Sequence, residues 1–277
     1  EYLAMDLSYN KKVMKVCGGL SRIPNRRTFD RRLATISNDI KNRVTTMGEL
    51  FVRDKIIDPS VLSTDSTLIK AKGHLWHKSS MKKKVVPRSG IDTDARWGFS
   101  HTKSWVFGYK LHMVASTGSI TVPLSADFTT ANIPDNQMYS ILTARSSLPV
   151  TIIKKTLYMS ADPGYDDHEL YDLSTELGFR LVCPVQRYKS TSADRIKLIK
   201  FYKSKVGQAI YSLRSTSIEP LIGHIKSVFR IDPLPVQGYA KSCAIVLLSV
   251  LLYQILVYYN CKTDRDNPMA IKYMLGI

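Results

Sequence analysis

Residues 104–127 read SWVFGYKLHMVASTGSITVPLSAD, and this stretch decides the fold class. Residues 104–116 are dense in aromatic, β-branched and aliphatic side chains, which predicts one long strand. Thr117-Gly118 marks a turn, and 119–127 read as a second strand. Upstream, past Pro59, residues 61–65 (VLSTD) read as a short strand ending in polar residues. These three strands are expected to pair antiparallel. Downstream, Pro134 opens a helix to about Ala144, and 155–161 (KTLYMSA) form a fourth strand, followed by Asp162-Pro163-Gly164. A helix from about 167 to 177 ends at Gly178, residues 179–184 (FRLVCP) make a fifth strand, and two or three helices finish the chain. Three strands followed by alternating helices and strands predict an α/β fold with one mixed five-stranded sheet flanked by helices.

The ends of the chain differ in character. Residues 1–58 read as a helical, basic N-terminal region whose arginines suit phosphate contact or simply form a solvated basic face, with 59–277 as the second domain. Thr28 is placed to cap a helix running to about Met47, with Leu33, Ile36, Ile40 and Val44 as its apolar stripe. Residues 70–103, with Lys82-Lys83-Lys84, read as a long basic excursion. Residues 243–259 (CAIVLLSVLLYQILVYY) are slightly short of the roughly 20 that span a bilayer, and are read as a C-terminal core helix rather than a membrane span.

With 277 residues, 44% of them hydrophobic, the chain can bury a sizeable core. Its net charge of +17 predicts a polyanionic partner, nucleic acid in preference to an acidic membrane. Its four cysteines are scattered, which suits a reducing cytosol and gives no zinc ribbon or redox pair. No leader is visible at the N-terminus, and no phosphate-loop motif supports ATP hydrolysis.

Against this basic background a few acids stand out. Asp65 closes the first strand and Asp162 follows the fourth, both at the edge where open α/β sheets place their ligands. Either alone reads equally well as a cap or a turn former. Between Ser217 and Arg230, a 3.6 period puts Ile218, Leu221, Ile222, Ile225, Val228 and Phe229 on one face. Glu219, Gly223, Lys226 and Arg230 fall on another, joining an acid, a small residue and two cations. A plain surface helix divides the same way. Converging carboxylates are what two hard divalent ions require, so Asp65, Asp162 and Glu219 are candidate ligands.

Tyr211-x-x-Arg214, then Glu219, then Lys226 resembles the Tyr-Arg-Glu-Lys signature of the DDE transposases of bacterial and archaeal insertion sequences. Thr64-Asp65-Ser66-Thr67 and Ala161-Asp162-Pro163-Gly164-Tyr165-Asp166 look like that family's two Asp motifs. Gly108-Tyr109-Lys110-Leu111-His112 looks like its second-strand motif, and Thr130-Ala131-Asn132-Ile133-Pro134-Asp135 is similar to the segment after its third strand. The five motifs occur in order across about 61–230. The spacing departs once: four residues separate Arg214 from Glu219 where the family usually has three.

The resemblance implies a ribonuclease H-like catalytic domain that cleaves transposon ends and transfers them to target DNA. It implies Asp65, Asp162 and Glu219 as catalytic ligands of two Mg²⁺ or Mn²⁺ ions. It implies Tyr211, Arg214 and Lys226 as contacts to the DNA end, and Arg230 is added to the DNA-binding set from the helix face. The expected partners are terminal inverted repeats, target DNA and a second copy of the chain, in a prokaryotic cytoplasm near the nucleoid, with no membrane. The alternatives are another ribonuclease H-like nuclease, or an inactive DNA-binding remnant. His74 and His77 lack partner cysteines for a zinc site, and His112 is read as structural. Asp92 and Asp94 are read as solvated ion-pair partners, with extra acids near the site as the alternative, and Trp76, Trp97 and Trp105 as core residues, with base stacking as the alternative.

Overall fold

The computed structural model describes residues 15, 25–100, 104–185 and 192–276; residues 21–24 of the basic N-terminal run lie outside them. At the centre of the sheet is β1 (Val61–Lys70), twice the length that its polar end suggested. Ser66 and Thr67 do not end the strand, because they face a cleft rather than solvent. Antiparallel to it runs β3 (Ser104–Ser116), with Leu62 opposite Ser116 and Lys70 opposite Gly108. Residues 106–116 are buried throughout, so both faces of the sheet are covered there. A Cβ at Gly108 would lie 2.0 Å from the Ile69 carbonyl oxygen, so only glycine lets β1 and β3 approach at that point.

The third antiparallel strand, β4 (Pro123–Thr130), begins later than the sequence suggests. Residues 119–122 are spent on a wider turn, and the register shifts between Val114 and Ala115. On the other side of β1, β5 (Tyr158–Ser160) and then β6 (Arg180–Val182) pair in parallel. The order β4-β3-β1-β5-β6, three antiparallel strands and then two parallel ones, is ribonuclease H-like. A sixth strand, β2 (Arg96–Ser100), also pairs with β3. It comes from the basic excursion, whose residues 96–100 pair with β3 where composition suggests only loop. Asp92 is buried, accepting from the Tyr109 hydroxyl (3.0 Å) and Gly238 N (2.9 Å), and Asp94 accepts from Tyr239 N (2.9 Å). Both acids tie the segment to the main body through backbone N–H groups; Asp92 is buried rather than solvated, while Asp94 stays exposed.

Where one helix from Thr28 to about Met47 is expected, the described residues hold two. Asn25 caps α1 (Arg26–Leu33), not Thr28, and after a break α2 spans Ser37–Arg53. Ile40, Val44, Phe51 and Val52 of α2 are buried. They pack against β4 and the long α10 (Tyr239–Lys262), which carries the C-terminal apolar run. By length and composition α10 is apolar enough to cross a membrane. Here it is a core helix, with Val246, Leu247, Val250, Tyr253 and Val257 buried. One of its buried amides, Gln254, donates to the Val44 (2.9 Å) and Pro123 (2.8 Å) carbonyls, tying α2 and the start of β4 together.

Among the described residues the remaining α-helices in chain order are α3 (Lys78–Lys82), α4 (Asp135–Thr143), α5 (Val150–Ile153), α6 (His168–Glu176), α7 (Ala193–Lys203), α8 (Lys205–Thr216) and α9 (Ile218–Val228). The last two bring the third acid to the sheet.

Candidate active site

Strand register brings the two aspartates together. Ser63 lies opposite Ser160 in the parallel β1–β5 pair, and their hydroxyls bond at 2.6 Å in the buried interior. Two residues further along each chain, where β5 has stopped and β1 continues, come Asp65 and Asp162. Asp65 is therefore in the middle of its strand rather than at its end. Beyond Ser160 the β5-side edge of β1 is no longer paired to β5, and the acids gather at that edge. The Asp162 carboxylate accepts from Gly164 N (2.9 Å), which closes the turn that Pro163-Gly164 begins.

Glu219 arrives on the first turn of α9. Its side chain is half exposed, and it shares a cleft of about 510 Å³ with Asp65 and Asp162. The three carboxylates, far apart in sequence, thus line one space. A larger cavity of about 740 Å³ opens beside Trp97, Trp105 and Leu234, but its acid, Asp232, is paired with Lys226 (2.6 Å). The smaller, polar cleft is therefore the better candidate for chemistry.

Arg214 sits among the acids. It lies near the end of α8, and its Nη2 donates to Asp65 Oδ2 (2.8 Å) and is 3.9 Å from Glu219 Oε1. The extra residue in the signature is absorbed at Ser217, which has φ −120° and ψ −89° and breaks α8 from α9. The Tyr211 ring lies 5.7 Å from the Arg214 guanidinium. Lys226 is turned inward, donating to the Leu68 carbonyl (2.8 Å) as well as pairing with Asp232. Arg230 is exposed but is not on the helix face assigned to it: α9 ends at Val228, and Arg230 adopts φ +50° beyond it.

Two further charged residues line the cleft, Lys110 and Asp135. Asp135 Oδ1 accepts from Lys110 Nζ (2.9 Å) and from the Ser66 hydroxyl (2.8 Å). Both lie in motifs that carried the resemblance, yet nothing in a linear reading says that they meet. His112 behind them is pushed down to about 4 by burial and stays neutral, so its 3.6 Å approach to Asp135 is not an ion pair. Trp105 is 55% exposed, with the Lys78 ammonium 3.1 Å from its ring centre, and so is not a core residue.

The electrostatics of the acids set their chemistry. Burial pushes the Asp65 carboxyl up to about 6, only partly offset by Arg214 and Ser66, with Asp162 adding to the rise. Asp162 is raised as well, first by burial and then by the charge of Asp135, with Arg214 opposing. Two carboxyls held high by burial and like charge are stabilised by a cation. Among the described residues, no three His, Cys, Asp or Glu side chains are gathered closely enough to hold one ion as they stand. The donor set nevertheless fits a hard divalent ion in type, since Asp65, Asp162 and Glu219 offer carboxylate oxygens in one open cleft.

Comparison with known proteins gives the family. Residues 57–255 match the model of the transposase DDE domain. No curated protein matches the chain. Among solved structures, it is similar to a chain of the simian T-cell lymphotropic virus intasome in complex with the PP2A regulatory subunit B56 gamma. That match has 14% identity and a TM-score of 0.34, over 68% of this chain and 48% of that one. The Mos1 transposase paired-end complex with left transposon end matches at 13% identity and a TM-score of 0.26, over 92% and 69%. The chain spans about half the length of the intasome chain. The family therefore rests on the sequence match, which covers most of the chain and every acid of the cleft: this protein belongs to the transposase DDE-domain family.

Proposed function

We propose that the chain is a DNA transposase that cleaves the ends of a mobile element and joins them to target DNA. The observation that carries this reading is the convergence of Asp65, Asp162 and Glu219 on one cleft. These three would hold two Mg²⁺ or Mn²⁺ ions. Bound there, the ions supply Lewis-acid charge to the attacking and leaving oxygens of a phosphodiester. The protein contributes a partly dry rim that fixes the two aspartates by strand register, and in Glu219 a third carboxylate with room to adjust. Arg214, backed by Tyr211, offers its guanidinium to the DNA end, where a planar donor suits phosphate. The +17 charge supports binding along the duplex. A homodimer belongs to the proposal, because two element ends must be held together, and so does a place at the nucleoid of a prokaryotic cytoplasm.

The test is end cleavage. The purified chain, given Mg²⁺ and a duplex of the terminal inverted repeat that flanks its gene, is expected to cut at the repeat boundary. Asp162→Asn is expected to lose that activity while keeping its fold and its DNA affinity. If Asp162→Asn cuts as well as the parent, the assignment of the acids is wrong. Preferential cutting of a four-way junction or an RNA–DNA hybrid would point instead to another nuclease on this fold.

A further inference from the structure

Lys110 is a buried lysine, 8% exposed, on the wall of the cleft that also holds four acids and Arg214. A buried ammonium group is costly unless its donors are used. Two of its three N–H groups are committed, one to the Ile133 carbonyl (2.8 Å) and one to Asp135 Oδ1 (2.9 Å). The third has no partner among the described residues.

The strand geometry shows where this group stands. Lys110 pairs across the sheet with Leu68, and Asp65 pairs with Met113. Positions 65 and 68 have opposite parity, so Lys110 and Asp65 project from opposite faces of the sheet. They share one cleft because the edge of β1 is left open beyond Ser160, where β5 stops. Asp135 stands on the lysine's face. It is held there by the Ser66 hydroxyl, from the residue next to Asp65. Asp162 lines the same cleft as Lys110 and Asp135, and its carboxyl is raised by the charge of Asp135 and lowered by that of Lys110. A DNA strand crossing this edge would have Asp65 on one side and the Lys110–Asp135 pair on the other.

We propose that Lys110 is a substrate-contacting residue of this cleft, its free N–H binding a non-bridging oxygen of the DNA phosphate at the open edge of β1. Asp135 is the positioning residue: with the Ile133 carbonyl it fixes the ammonium group, and through Ser66 it sets that group against β1. The proposal rests on the DNA-cutting reading above. Lysine is suited to this role because it meets a phosphate oxygen as a point charge and needs no planar geometry.

The experiment compares the parent with Lys110→Met, Lys110→Arg, Asp135→Asn and the double variant Lys110→Met/Asp135→Asn. Each is first shown by circular dichroism to be folded. The probe is a duplex carrying the terminal inverted repeat. Cleavage is measured in Mg²⁺, and binding is measured in EDTA across a range of salt. Lys110→Met is expected to cut about 100-fold more slowly or worse, as when one transition-state donor is removed. Its binding should lose about 0.9 from the slope of log affinity against log salt, the amount for one phosphate contact. Lys110→Arg should keep that slope. Asp135→Asn should keep the slope while cutting more slowly.

The double variant decides between contact and mere charge balance. If the lysine only neutralises Asp135, removing both restores cleavage, and the proposal is overturned. It is overturned too if Lys110→Met keeps the parent's salt slope. If Lys110→Met fails the folding check, Lys110→Arg and Asp135→Asn carry the test: a lost slope in either overturns the proposal. A parent that neither binds nor cuts the duplex brings down the DNA-cutting reading itself. A parent that cuts alongside an equally active Lys110→Met brings down only the lysine.

Discussion

Asp65→Asn should change how the stability of the metal-free protein depends on pH, and the size of the change can be worked out. Burial raises the Asp65 carboxyl from its ordinary 3.8 to about 6. Between those values the folded state binds more protons than the unfolded one, so stability falls as pH rises through the window. Below 3.8 the group costs nothing in either state. Above 6 the whole cost of holding a buried carboxylate is present, roughly 3 kcal/mol at 1.36 per pH unit. Asparagine cannot ionise, so its variant carries no such term. Its local hydrogen bonds to Ser66 and Arg214 also change, but that effect is nearly constant with pH. The informative quantity is therefore the difference in unfolding free energy between variant and parent, measured by urea denaturation in EDTA from pH 4 to pH 8. It should move by about 2–3 kcal/mol in favour of the variant over that range. A difference that stays flat, or moves toward the parent, would refute the claim that Asp65 is an uncomfortable carboxylate. Saturating Mg²⁺ should remove most of the movement, because a bound cation relieves the same charge.

Two other substitutions probe the scaffold. Gly108→Ala forces a methyl group to within 2.0 Å of the Ile69 carbonyl oxygen, so β1 and β3 must part. A loss of about 4 kcal/mol or more is expected, read as insoluble expression or a collapsed urea midpoint. Gln254→Leu leaves the Val44 and Pro123 carbonyls without their shared donor. At about 1–3 kcal/mol for each buried unsatisfied group, it should lower the urea midpoint without abolishing folding.

The sequence was most readable where periodicity and burial agree. The long β3 and the apolar face of α9 follow from side-chain pattern alone, and so does the inner position of α10. The acids were locatable because each stands at a polar interruption of an apolar run. What stayed hidden shares one physical cause: it depends on contacts across the sheet. Ser66 and Thr67 look like a strand end, since a cleft and solvent favour the same residue types. Asp92 and Asp94 look solvated among lysines, since their partners Gly238 and Tyr239 lie far along the chain. Arg230 was placed on a helix that had already ended, because its side chain fits the period and only the backbone shows the break. The meeting of Lys110 with Asp135 and of Arg214 with Asp65 could be expected only once the strands were paired.

The packing of α2 against α10 across β4 has a consequence for synthesis. Helix α2 buries its apolar face partly on β4 and partly on α10, whose Gln254 lies 210 residues beyond Val44 and is translated long after it. Until that segment leaves the ribosome, Val44 and Phe51 have no finished interior to enter, and long-range closures of this kind are slow. A gene copy with a stop codon before residue 239 would therefore yield no shortened nuclease, only a chain with an exposed sheet that quality-control proteases remove.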